Sequence, residues 1–153
     1  MTLSPLAVPI LAGTGLCAAW LDAKQRRLPN TLSAGVASLG LFVTASQSGL
    51  PVATSAALHA SIALAIGIAL YSRGIIGGGD VKYYAAVAAW FPLASGFQLL
   101  GYVSLAGLGL VAGWLLYQRV ARQPAGHERM AEQDKLPFGI AIAAGALLAA
   151  AVQ

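Results

Sequence analysis

Charged side chains are missing from this chain in long blocks, and that constrains its fold more than any motif does. Residues 28–72 are 45 consecutive positions without Asp, Glu, Lys or Arg, and 83–118 are 36 more. The first 21 residues and the last 18 carry no charged side chain either. A helix crossing a bilayer needs about 20 apolar residues, so each long run holds two crossings and each terminal run one. The spacing predicts an all-α polytopic membrane protein with about six transmembrane helices, near 3–21, 31–47, 52–71, 81–95, 97–117 and 136–153. Residues 1–153 then make one integral-membrane domain. Only 9% of the residues are charged and 58% are hydrophobic, whereas soluble domains carry about 25% charged residues. Soluble enzymes, nucleic-acid binders and secreted disulfide modules are thereby excluded.

The charges that remain define a topology. The connector 22–30 carries three basic residues, 72–82 two and 118–135 four, which accounts for all nine; the turns near Ser46–Pro51 and Pro92–Gly96 carry none. Basic loops face the cytoplasm, so the expected arrangement is a multi-pass protein of the cytoplasmic membrane with both termini outside. Trp20, Tyr71, Tyr83, Tyr84, Trp114 and Tyr117 fall near the cytoplasmic ends, and Trp90 and Phe91 near an outer end, as interfacial anchors. The segment Met1–Trp20 lacks a basic region ahead of its apolar stretch and reads as a retained first span. The lone Cys17 permits no intrachain disulfide and reads as a small packing residue, and Gly109 and Gly113 suit close helix packing.

Five acids are present, and three of them (Glu128, Glu132 and Asp134) share the polar 118–135 connector, where a solvated surface explains them. Asp22 closes the first span and Asp80 opens the fourth. Singly, each could balance Lys24 or Lys82 at the interface. The glycines Gly77, Gly78 and Gly79 before Asp80 weigh toward a site, because each weakens a helix by about 1 kcal/mol and admits close approach of another chain. The run fits neither a dinucleotide fingerprint, since Lys82 stands where the third glycine belongs, nor a phosphate loop. Two carboxylates at one depth form a dyad that shares a proton, one member activating water while the other acts as acid. Asp80 at a helix N-terminus is favoured as carboxylate and Asp22 near a helix C-terminus as acid. His59 reads as a buried hydrogen-bonding residue and His127 as a loop residue; no metal-ligand or Ser–His–acid spacing occurs, and no metal or cofactor is expected. A small transporter or channel handling ions or protons at Asp22 and Asp80 is the alternative, weakened by the lack of charge deep in any span. A non-catalytic assembly protein is a third reading.

The segment from Asp22 to Pro29 and Asn30 (DAKQRRLPN) resembles the first aspartate motif of the type IV prepilin peptidases. Gly77 to Lys82 (GGGDVK) is similar to their GxGD motif, and Lys135 to Ala141, with Pro137, Phe138 and Gly139, is similar to the Pro-aromatic-Gly motif that opens their last span. The size most resembles the short branch serving Tad/Flp-type pili. The resemblance implies an intramembrane aspartic endopeptidase that cuts the basic leader from a prepilin at the cytoplasmic face, just before the pilin's hydrophobic helix. It makes Asp22 and Asp80 the catalytic pair, with Gly77 and Gly79 keeping the backbone open for substrate. Lys82 then tunes Asp80 or lies near substrate, Pro29 and Asn30 shape the first turn, and Pro137, Phe138 and Gly139 line the site mouth. Longer members carry a cytoplasmic domain with paired cysteines and also methylate the new N-terminus. That domain is missing here, so peptidase activity without methyltransferase activity is expected. Implied partners are the prepilin, the lipid bilayer and the pilus assembly machinery, with no nucleic acid. Tyr83 and Tyr84 depart from the aliphatic residues usual after the lysine.

Overall fold

A computed structural model describes residues 7–25, 29–120 and 138–152, except for the side chains at 22, 23, 25, 118 and 120. Six α-helices follow the apolar blocks: α1 (Ala7–Gln25), α2 (Asn30–Ser48), α3 (Leu50–Ser72), α4 (Gly78–Ala88), α5 (Gly96–Val120) and α6 (Phe138–Val152). A single 3-10 turn, Leu93–Ser95, precedes α5, and no strand occurs among the described residues. The helices begin and end where local chemistry requires. Pro29 precedes α2 in an extended conformation, with its carbonyl accepting from the Leu32 and Ser33 amides. Gly49, at φ 84°, turns α2 directly into α3, which carries Pro51 in its first turn. At the far end of α3, Gly74 adopts φ 72°, its amide donates to Tyr71 and the Ile75 amide donates to Leu70. That is the two-bond glycine stop that closes many helices.

Helix α4 lies at the centre, packed on α2, α3 and α6, while α6 also packs on α1 and α5. Glycines permit the close approaches. A Cβ on Gly67 of α3 would lie 2.5 Å from Val81, one on Gly40 of α2 would lie 2.5 Å from the Trp90 ring, and one on Gly145 of α6 would lie 2.4 Å from the Val103 backbone of α5. The largest buried side chains are Trp90, Tyr83, Phe91, Leu99, Ile142, Val36 and Val87. Outward faces carry Leu16, Phe42, Leu58, Ile68, Leu105 and Leu108, all exposed, an inversion that a water-soluble bundle would not tolerate at this density.

Two stretches, Leu50–Ser72 and Leu93–Tyr117, are long and apolar enough to cross a membrane, and Ala7–Leu21 and Phe138–Val152 are shorter apolar helices. The expected fourth span, 81–95, takes a different form. Helix α4 starts earlier, at Gly78, and has 11 residues, about 16 Å at 1.5 Å per residue and roughly half of a hydrocarbon core. Trp90 and Phe91 accordingly sit in the core rather than at an outer interface, and Tyr83 is buried with them. Trp20, Tyr71, Trp114 and Tyr117 do point outward. Cys17 is exposed rather than packed, and Gly109 and Gly113 have open space around them, so they mediate no packing among the described residues.

Gly145→Ala is expected to destabilise the bundle by about 1–3 kcal/mol, because backbone rather than a flexible side chain blocks the added methyl. Gly109→Ala, in open space, should leave stability unchanged or slightly raised. Thermal unfolding of both variants in detergent checks this contrast.

Candidate functional site

The glycine-rich segment assembles the site from two ordinary helix ends. After the Gly74 stop, the chain bends at Ile75 and Ile76 to reach Gly77, extended at φ −71° and ψ 140°, which is the N-cap of α4. Gly78 and Gly79 are already helical, so the open backbone expected around Gly79 is confined to the segment before Gly78. Asp80 occupies the third helical position, where a carboxylate turns back toward the cap. Its Oδ2 lies 2.8 Å from where a Gly77 Cβ would be. The absence of a side chain at 77 therefore makes room for the Asp80 carboxylate, a steric reason for glycine that does not depend on φ.

Lys82, one turn into α4, donates from Nζ to Oδ1 of Asn30 at 2.9 Å. This contact joins the two motifs that carry the aspartates, since Asn30 is the first residue of α2. Asp22 lies in the last turn of α1, just before that connection; its side chain is outside the described residues, as are Pro137, His127 and the three acids of the 118–135 connector. Next to it in α1, the ammonium of Lys24 lies 5.8 Å from the Trp20 ring centroid. Phe138 opens α6 and packs its ring over Gly107 of α5, where a Cβ would come within 3.1 Å, and Gly139 is buried.

Asp80 and Phe138 share a cleft of about 410 Å³ between α3 and α5, floored by α4 and α6. Ile66, Gly67, Leu70, Ile76, Tyr84 and Ile142 line it beside Asp80, and it runs on to His59, Leu93 and Gly96. The two walls do not pack on each other along their lengths, which leaves the cleft open at the side. His59 is 5% exposed, and its Nδ1 lies 3.0 Å from the Phe91 carbonyl. It is thus a buried hydrogen-bonding residue, but one that also lines the same cleft as Asp80. Nothing in the sequence signals that link, which depends on where α4 stops, nor the approach of Gly67 to Val81, which depends on how α3 and α4 pair. Among the described residues no three His, Cys, Asp or Glu side chains gather as a metal site.

Apolar outward faces, two helices long and apolar enough to cross a membrane, and a half-length central helix with a carboxylate in its first turn fit a membrane protein. The sequence matches the type IV leader peptidase family over residues 10–113, and the chain belongs to that family. The matched segment contains the Asp22 and Asp80 motifs, while the Pro137–Gly139 motif lies beyond it. No curated protein and no solved structure matches the chain.

The Lys82–Asn30 contact generates a coupling prediction. Lys82→Met and Asn30→Ala should each lower stability, and the double variant should be less destabilised than the sum by about 0.5–1.5 kcal/mol, the worth of one hydrogen bond. Asn30→Asp should retain the contact. A double-mutant cycle by thermal unfolding measures the coupling.

Proposed function

We propose that this member of the leader peptidase family is an aspartic endopeptidase that removes the leader of a Flp-like type IV prepilin at the cytoplasmic membrane face, with Asp22 and Asp80 as its catalytic pair and without methyltransferase activity. The observation that carries the reading is the family match across both aspartate motifs, joined to Asp80 being part of the lining of a lateral apolar cleft. A substrate with a polar leader ahead of an apolar helix fits such a cleft, the helix lying along α3 and α5 and the leader remaining at the charged end.

The proposed chemistry follows from the two helix ends. Asp80, in the first turn of α4, acts as the carboxylate and takes a proton from water as its oxygen attacks the scissile carbonyl. Asp22, in the last turn of α1, is the acid and gives its proton to the carbonyl oxygen, forming a gem-diol. Collapse returns a hydroxyl proton to Asp22, passes the proton on Asp80 to the departing nitrogen and breaks the C–N bond, restoring both groups. The dyad predicts a bell-shaped pH–rate profile whose two apparent pKa values belong to the pair. Gly77 serves by leaving space for the Asp80 carboxylate, and Pro29, Asn30 and Lys82 hold the α2 start against α4. Pro137, Phe138 and Gly139 shape the mouth.

Co-expression with a candidate prepilin, following leader removal by gel shift, tests the assignment. Wild type should process the pilin, and Asp22→Asn and Asp80→Asn should each abolish processing; wild-type processing by either variant would sink the dyad. Gly77→Ala is expected to slow cleavage by about 10- to 100-fold, the scale of a small misplacement of a reacting group, with the melting temperature little changed. Single-turnover cleavage rates read this directly.

A further inference from the structure

The end of the cleft away from Asp80 holds one polar atom that the fold leaves unused. The Phe91 carbonyl can only accept, so the Nδ1 of His59 carries the proton and donates. In the neutral ring Nε2 is then a hydrogen-bond acceptor, and no described residue partners it. His59 is 5% exposed and lines the cleft. Gly96 explains why the atom stays open, since a Cβ there would lie 3.0 Å from Nε2 and cover it. Nε2 opens on the cleft, the space in which the proposed substrate helix would lie, so a chain that fills the cleft strips its hydration at a cost unless that chain supplies a donor.

The depth of this atom sets a register. Gly67 of α3 meets Val81, the neighbour of Asp80, and His59 lies eight residues back along α3, a distance of about 12 Å. A substrate segment covers about 12 Å in roughly four residues when extended and roughly eight when helical.

We propose that His59 is a specificity-determining residue whose Nε2 accepts a hydrogen bond from one hydroxyl or carboxylic acid side chain of the substrate's apolar segment, about four to eight residues beyond the bond that Asp80 attends. This rests on the peptidase reading for what occupies the cleft. An otherwise apolar helix carrying one such group at that register leaves neither the donor nor Nε2 unpaired, whereas a helix without it leaves Nε2 unmatched and one with it elsewhere leaves both unmatched.

The test uses the full chain in detergent and synthetic peptides with a basic leader, a glycine and a Leu/Ala helix, in which a single Thr is moved through successive positions after the glycine. Binding is measured in the Asp80→Asn background by fluorescence anisotropy, so that it does not depend on cleavage. With His59 present, one Thr position in the window should bind about five- to tenfold more tightly than the all-apolar peptide, the scale of one net hydrogen bond. His59→Asn places an amide donor where Nδ1 stood and so keeps the Phe91 contact while removing the acceptor. It should flatten the profile. Gly96→Ala, which covers Nε2 with His59 intact, should flatten it too. A merely structural His59 predicts that His59→Asn keeps the wild-type profile. That result, a flat profile with His59 present, or failure of every peptide to bind overturns the proposal. Cleavage by the Asp80-containing protein is followed in parallel, and a register-dependent profile without cleavage would remove the peptidase reading while leaving His59 as the recognising residue.

Discussion

Helix α4 ends inside the bundle, and the hydrogen bonds that receive its end determine where the neighbouring helices lie. Away from water, every backbone group released by a helix break must find a partner within the protein. The amides of Trp90 and Phe91 return to the carbonyls of Val87 and Ala88, continuing the turn beyond the helix. His59 then reaches the Phe91 carbonyl, Ser55 accepts from the Leu93 amide, and the indole of Trp90 donates to the Val36 carbonyl at 3.0 Å. Two of these partners come from α3 and one from α2, so the break is held from both sides. Replacing His59 by an apolar side chain would leave the buried Phe91 carbonyl unmatched, which costs more than the bond itself contributes.

The early stop has a geometric consequence for the site. Because the chain turns back at the depth of His59, α5 starts there, and the 3-10 turn rather than a full helix rests against α3. The walls α3 and α5 remain separated below that point, and the cleft is the space between them. The same short helix brings its N-terminus to the opening, with Asp80 one turn in, Gly77 clearing room for the carboxylate and Lys82 reaching Asn30. A continuous fourth helix could present Asp80 equally well, but α5 would then be free to pack along α3 and the space beside the carboxylate would close.

Helix number and approximate limits were legible in the sequence because charge is confined to three connectors, and a charged side chain is hard to place anywhere else in an apolar bundle. The break in α4 was not legible. Residues 83–118 read as uninterrupted apolar chain, and hydropathy does not distinguish a crossing helix from a half-helix buried in protein. The misplacement of Tyr83, Trp90 and Phe91 follows from this, since aromatic residues suit both an interface and a core. Gly109 and Gly113 illustrate the same limit: the spacing is that of close packing, but the face that bears them points away from the other helices. Asp80 and Asn30 stood out for opposite reasons, Asp80 because acids are so scarce and Asn30 through its motif. The contact between Asn30 and Lys82, 52 positions apart, required the fold.

Polar atoms within the bundle divide by what the fold does with them. The Trp90 indole, the Ser55 hydroxyl and His59 Nδ1 are consumed in holding the α4 break, and the Thr44 hydroxyl returns to the Gly40 carbonyl of its own helix at 2.7 Å. The buried Ser33 hydroxyl, one turn beyond Asn30, has no partner among the described residues, and neither does His59 Nε2. Stability alone favours an apolar side chain at Ser33, because an unmatched buried hydroxyl loses its hydration without compensation. His59 differs from Ser33 in having its unmatched atom beside an open cleft, so a bound chain can supply what the fold does not. Removing His59 altogether would expose the Phe91 carbonyl as well, which ties the support of the α4 break and the lining of the cleft to one side chain. A substrate group that engages Nε2 therefore acts on the same ring that holds the break from which α5 departs.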